Sequence, residues 1–343
     1  MKCPFLESHV CIRTTGEYRL CCISDEESNT ENITNTKPKD WLNSPTVQKA
    51  KENLSKGIFP DACRKCMYEE YSGKESKRTK AKIGPGITHL DLRFGNSCNL
   101  KCNMCGPHSS SSLYYEHQEI ISKQMQSPFT CGSKISNWYD DNVLDFVDDL
   151  EELQEVYITG GEPMLEKNLV KFLERLDRKV AIRFSTNGTV ANPKAMQALE
   201  RFDNVSFCLS IDGIGKVNDY IRWGSRWEDI IDNIPKFKDL GYTSLGPTIQ
   251  IQNILYYDDL LEYADKNNFE VYENILVNPK YMNINSAPYS MKGKINHFRN
   301  FLTFKSDENH LRQFIEHITV LDKNRSTHIK FFLPEVAKYY GIS

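Results

Sequence analysis

The sequence predicts an α/β protein: a partial (β/α)6 TIM-like barrel with a small N-terminal cysteine-rich module and a helical C-terminal tail. Three observations carry this. From Ile87 onward, short apolar runs alternate with helical patterns, as successive βαβ units do. Along those runs alternate positions are polar: Asp91 and Arg93, Arg183 and Ser185, Ser206 and Ser210, Gln250 and Gln252. A parallel strand covered on both faces is apolar throughout, so here the sheet is expected to curl round a polar lumen. Finally, six of the eleven cysteines precede residue 87.

The elements follow in order. Residues 1–86 hold a strand-turn-strand beginning around Gly16-Glu17 and an amphipathic helical stretch near Trp41 to Leu54. Lys74 to Pro85, rich in Lys and Gly, reads as a linker, and its basic run Lys74, Lys77, Arg78, Lys80 and Lys82 as a solvated one. The barrel, residues 87–280, has expected strands at 87–94, 154–159, 180–185, 205–210, 247–252 and 271–277. Asn192-Pro193 supplies a helix N-cap followed by Pro at the first helical position, and Ser225-Arg226-Trp227-Glu228 spells a capping box. A long connection after the first strand contains Ser109 to Ser112, an irregular stretch around Pro128 to Ser136 and a helix near Asp140 to Leu150. Residues 281–343 read as the helical extension. Six repeats fall short of the eight that close a full barrel, leaving an open side that suits a large substrate.

Composition bounds the function. With 43 basic and 46 acidic residues the formal charge is −3, so no global field draws the chain to nucleic acid or an anionic membrane. The N-terminus lacks the apolar core of a secretory signal, and about 18 consecutive apolar residues occur nowhere, so a cytoplasmic protein is expected. Cysteines in a reducing compartment, clustered at short spacing, indicate metal or redox work rather than disulfides.

The first expected strand runs directly into Cys98-Asn99-Leu100-Lys101-Cys102-Asn103-Met104-Cys105, a C-x3-C-x2-C triplet. Three thiolates at this spacing hold three irons of a cubane and leave the fourth open to chelate a cofactor. The competing reading is a zinc knot completed by His108. Later strand ends carry Thr159-Gly160-Gly161-Glu162-Pro163, Ser185-Thr186-Asn187-Gly188 and Ser210-Ile211-Asp212-Gly213, each by itself an ordinary turn sequence.

The triplet after strand one, with these motifs in order, resembles the radical S-adenosylmethionine (SAM) superfamily. The resemblance implies a SAM-binding 4Fe-4S cluster on Cys98, Cys102 and Cys105. It assigns Gly160, Gly161 and Glu162 to the amino group of SAM, Ser210 to its ribose or methionine part, Arg222 of Tyr220-Ile221-Arg222-Trp223-Gly224 to its carboxylate, and Ser185 and Asn187 to the same pocket. The adenine-contacting strand motif is indistinct; Gln250 or Gln252 occupies that strand, and Gln252 is taken. Cys208, on the lumen side with Ser210, is either a hydrogen donor to a substrate radical or a small buried hydrophobe. Cys131 is given no role.

The N-terminal cysteines, with Trp41-Leu42-Asn43-Ser44 and Gly57 before Cys63-Arg64-Lys65-Cys66, resemble a twitch or SPASM type of auxiliary-cluster module, here placed before the barrel. One further 4Fe-4S cluster is implied, on Cys3, Cys21, Cys63 and Cys66, with Cys22 or Cys11 as replacements; structural zinc is the alternative. The tail segments Leu321-Asp322-Lys323-Asn324-Arg325 and Leu333-Pro334-Glu335 are also like that subgroup. The implied activity is reductive cleavage of SAM to a 5'-deoxyadenosyl radical that abstracts hydrogen from a peptide or protein side chain, with a reductase such as flavodoxin or ferredoxin as electron donor. A small molecule, sugar or nucleotide substrate is the second expectation. A non-catalytic zinc or electron-carrier protein is the third.

Overall fold

The hairpin expected near Gly16 forms, and its first strand also joins the parallel sheet. β1 (His9–Ile12) pairs antiparallel with β2 (Tyr18–Arg19) and parallel with β3 (His89–Arg93), in register from His9↔His89 to Ile12↔Leu92. All four residues of β1 are buried, as suits a strand with neighbours on both edges. A strand this short shows no period, which is why the sequence pattern starts the sheet only at Ile87.

The structure is a computed structural model describing residues 1–24, 31–125, 138, 143–303 and 307–342. Cys131 and the irregular stretch 128–136 lie outside the described residues. The chain gathers into two compact units. One comprises Met1–Ser97, Ile135–Phe184 and Asn192–Ser206; the other Cys98–Lys134, Ser185–Ala191 and Phe207–Ser343.

In the first unit the strand order is β2-β1-β3-β4-β5, where β4 (Glu155–Thr159) and the start of β5 (Ala181–Thr186) continue the parallel pairing. β6 (Val205–Leu209) begins beside β5, where Ile182 N–H donates to Asn204 O at 2.9 Å. The expectation of a covered polar face holds at Asp91 in β3, which is buried. Arg183 departs from it: its side chain is exposed and pairs with Glu155 at 3.0 Å. Asn192 caps the helix Pro193–Leu199 as expected, accepting from the N–H groups of Lys194 and Ala195. The helical stretch at 41–54 is two helices, Pro38–Leu42 and Pro45–Ser55, because Pro45 drives Ser44 out of the helical region; the Ser44 hydroxyl then accepts from Val47 N–H at 3.3 Å. Val47, Ala50 and Leu54 face inward, and Trp41 stacks on Tyr18 at 5.2 Å. The expected helix near 140–150 is a 3-10 segment, Val143–Asp149. The basic run differs from the solvated linker expected: Arg78 forms an ion pair with Glu70, and Lys77 Nζ donates to Cys22 Sγ at 2.7 Å, so two of its cations have partners.

In the second unit β7 (Tyr242–Leu245), whose polar composition hid it, adjoins the end of β6, with Gly246 N–H donating to Leu209 O at 2.8 Å. The strand expected over 247–252 is reduced to β8 (Thr248–Ile249), and that over 271–277 to β9 (Asn274–Ile275), its parallel partner. Pro247 has no N–H to give a ladder, the Thr248 N–H goes to Asp212 Oδ1 at 2.7 Å, and the Gln250 N–H goes to Asn253 Oδ1 at 2.9 Å. The capping box at Ser225 does not form. Asp219 accepts from the Trp227 N–H at 3.1 Å and from the Ser225 hydroxyl at 2.8 Å, so a neighbouring helix supplies the cap of Trp227–Leu240. The tail is helical, with Glu308–Arg325 its longest helix. Among the described residues no helix is long and apolar enough to cross a membrane.

Candidate functional site

The cysteine loop leaves the end of β3 through Gly95–Ser97 in the first unit. Gly160 and Gly161, at the end of β4, lie against those residues: Gly161 N–H donates to Gly95 O at 3.0 Å and Glu162 N–H to Ser97 O at 2.6 Å. A Cβ on Gly161 would overlap the Ser97 carbonyl, and Gly160 sits at φ +128°, so both glycines are required by backbone approach. Glu162 is buried, and its Oε1 accepts from Met164 N–H at 3.1 Å.

From Cys98 the loop belongs to the second unit. Its backbone is laddered onto the Ile221–Trp223 segment: Lys101 N–H donates to Trp223 O and Asn103 N–H to Ile221 O, both at 2.8 Å. This brings Arg222 beside the thiols, with Nη1 at 3.9 Å from Cys102 Sγ. Its Nε is 2.9 Å from Asp212 Oδ2, and the two side chains are 9% and 0% exposed. Burial opposes the guanidinium's charge, but Asp212 and the thiols outweigh it and hold Arg222 protonated. The Cys105 thiol donates to Cys102. That bond draws the Cys102 thiol down, helped by Arg222, and pushes the Cys105 thiol up together with burial.

Two other expected residues reach the same loop. Asn187 Nδ2 donates to Asn99 Oδ1 at 3.0 Å, and Asn103 Nδ2 to Gln252 Oε1 at 3.4 Å. Gln250 and Gln252 are wholly buried, and both amide ends of Gln250 lack a partner. Cys208 bonds Ser244 and feels the charge of Arg222, while burial raises its thiol. Ser185 and Ser210 are half-buried at the ends of β5 and β6, where Ser210 N–H donates to Thr186 O at 2.7 Å. Asp212 and Asn103 carry much of this architecture yet were missed, Asp212 because Asp-Gly reads as a turn and Asn103 because it lies between cysteines.

In the first unit Cys3, Cys21, Cys63 and Cys66 line one small pocket with Phe5, Ile23, Ala62, Lys65 and Arg78. Burial raises the thiols of Cys3 and Cys21, the latter to about 12. The two alternatives lie elsewhere: Cys22 is taken by Lys77, and Cys11 is fully buried within the sheet beside Asp91. Among the described residues no three His, Cys, Asp or Glu side chains stand close enough together to form a ready metal-ligand set; Cys3, Cys21, Cys63 and Cys66 share the lining of one pocket, and Cys98, Cys102 and Cys105 share one loop.

Residues 92–264 match the family model of the Radical SAM superfamily. The mycofactocin maturase MftC of Mycobacterium ulcerans is 26% identical over 176 residues, covering 50% of this chain and 42% of that protein. The GTP 3',8-cyclase of Thermodesulfovibrio yellowstonii is 25% identical over 196 residues, 54% of each. The chain thus spans about half the length of the curated relatives it matches. A solved structure described as native anSMEcpe with bound AdoMet overlays with a TM-score of 0.45 at 18% identity, covering 62% of this chain and 61% of that one.

Proposed function

Because the chain belongs to the radical SAM superfamily, we propose that it is an enzyme acting by SAM cleavage on a peptide or protein side chain. The observation that carries this reading is the gathering of Cys98, Cys102 and Cys105 in one loop beside the buried Arg222–Asp212 pair. Cys98, Cys102 and Cys105 would hold a 4Fe-4S cluster, which when bound and reduced would supply the electron for the cleavage of SAM.

The chain's own residues bind and orient. With only three protein thiols, the site would leave a coordination position for SAM to fill. Arg222, fixed by Asp212, sets a permanent positive charge beside Cys102, a charge that would suit the SAM carboxylate. Gln252, with Gln250 beside it, offers buried amide edges to adenine, and Asn187, Ser185 and Ser210 offer polar groups to the rest of SAM. The roles of Gly160, Gly161 and Glu162 toward the SAM amino group rest on their motif. Cys208 holds a protonated thiol able to return a hydrogen atom to a substrate radical.

Cys3, Cys21, Cys63 and Cys66 hold the second 4Fe-4S cluster, since their side chains share a pocket that excludes Cys22 and Cys11. Residues 1–86 then form the auxiliary module, 87–280 the barrel and 281–343 the extension. The enzyme works in the cytoplasm with a flavodoxin or ferredoxin as reductant. The peptide reading is favoured by the maturase relatives, and a nucleotide substrate by the cyclase relatives.

The test is anaerobic reconstitution, reduction with dithionite and assay of SAM cleavage with peptides encoded beside the gene. Formation of 5'-deoxyadenosine together with a mass change on a peptide is expected. Turnover only with nucleotides transfers the reading to a small molecule, and zinc in place of iron with no cleavage overturns it.

A further inference from the structure

The final turn of the helix Glu308–Arg325 meets the cysteine loop within the second unit. Arg325 forms a bidentate ion pair with Glu116, Nε to Oε1 at 2.9 Å and Nη2 to Oε2 at 2.8 Å, with side chains 3% and 0% exposed. The same guanidinium donates through Nη2 to Lys101 O at 2.8 Å and through Nη1 to Asn103 Oδ1 at 2.5 Å, and it lies 5.3 Å from the Trp223 ring. Lys101 and Asn103 flank Cys102. About two helical turns earlier, His317 Nε2 bonds the Asn103 carbonyl at 3.0 Å, and burial keeps that imidazole neutral, with a pKa of about 3. Its neutral ring meets a carbonyl, so Nε2 carries the hydrogen and donates.

Asp322, on the same face of the helix as Arg325, accepts from the Tyr220 hydroxyl at 2.9 Å and from Ile329 N–H at 2.7 Å. One helix therefore grips both strands of the short ladder, Lys101–Asn103 on one side and Tyr220 on the other. A buried ion pair is a poor way to gain stability, because desolvation cancels most of its attraction. Here its remaining donors go to the backbone and side chain on either side of a cysteine. That is the geometry of a group that fixes a ligand's position.

We propose that Arg325, with Glu116 and His317, is a set of positioning residues for the SAM-cleaving cluster, acting through the backbone of Lys101–Asn103 to fix where Cys102 presents its sulfur. Glu116 holds the guanidinium in plane, Arg325 and His317 set the loop, and Asp322 ties the Arg222 segment to the same helix. The signal was present in the sequence only as the tail segment Leu321 to Arg325, and Arg325 lies more than 200 residues from Glu116, Lys101 and Asn103.

The test uses the full chain, reconstituted anaerobically, with Arg325→Met, Arg325→Lys and Glu116→Gln. Circular dichroism establishes folding. The readouts are the electron paramagnetic resonance signal of the reduced protein before and after adding SAM, and KM and kcat for 5'-deoxyadenosine formation. The change on adding SAM isolates the cluster with the open iron. The expected result is a folded Arg325→Met protein whose SAM-induced spectral change is altered or lost and whose cleavage rate falls about 10- to 100-fold, with Arg325→Lys recovering part of it. Should Arg325→Met fail to fold, Glu116→Gln decides, because it keeps the shape and only loosens the guanidinium. Spectra and rates equal to the parent protein in a folded Arg325→Met, or in Glu116→Gln where the former does not fold, overturn the proposal.

Discussion

The triplet Cys98, Cys102 and Cys105 spans eight residues of chain and is held by backbone bonds to Ile221 and Trp223, whereas Cys3, Cys21, Cys63 and Cys66 are brought from three separate segments to the lining of one pocket. The first group has the buried Arg222 beside Cys102; the second has Arg78 in its pocket lining, but there burial prevails and keeps Cys3 and Cys21 protonated until a metal would displace the protons. The difference teaches that one group of thiols is preset by a ladder, whereas the other, on the function proposed, would be completed by its metal. Removing a ligand should therefore have unlike consequences in the two places.

The largest effect is expected from Cys102→Ala, which abolishes 5'-deoxyadenosine formation. Cys21→Ala should lose about half of the bound iron yet still cleave SAM, because only the auxiliary cluster is affected. Product assay and iron analysis on the two proteins check this, and equal loss of cleavage in both would erase the distinction. Next comes Asp212→Ala, which strands the Arg222 charge in the interior. A loss of about 3–5 kcal/mol in denaturant unfolding is expected. Gly161→Ala should cost about 1–3 kcal/mol by the same measurement, since its methyl must push away the Ser97 carbonyl ahead of the triplet.

The smallest effect is acid sensitivity shared by both units. His9 in the first and His317 in the second are buried with pKa values of about 3. Unfolded histidine titrates near ~6.5, so the stability from each neutral ring is present above that pH and is lost as pH falls toward 3. Unfolding at pH 5.5 compared with 7.5 should show a loss of about 1 kcal/mol for each ring. A flat profile would contradict the neutral assignments.

How far the sequence carried differs by feature for physical reasons. The triplet, the strand ends and the Asn192 cap depend on residues a few positions apart, and such local patterns survive in one dimension. β1 is four residues long and has no period to read. Pro247 and the Asp212 side chain cut short a strand that apolar residues alone would continue. The contact of Lys77 with Cys22 crosses more than 50 residues, and the hold of Arg325 on Lys101 crosses more than 200. Neither contact leaves a mark in spacing. Glycines of Thr159 to Pro163 were read as open to a ligand, and the structure shows that they also make room for the chain just before Cys98.

The most direct test is electron paramagnetic resonance of the reduced Cys21→Ser/Cys63→Ser protein, in which only the triplet can hold a cluster. A 4Fe-4S signal that changes when SAM is added, with methionine and 5'-deoxyadenosine formed in equal amounts, is the predicted result. An iron signal indifferent to SAM, or zinc bound at Cys98, Cys102 and Cys105, would contradict the account.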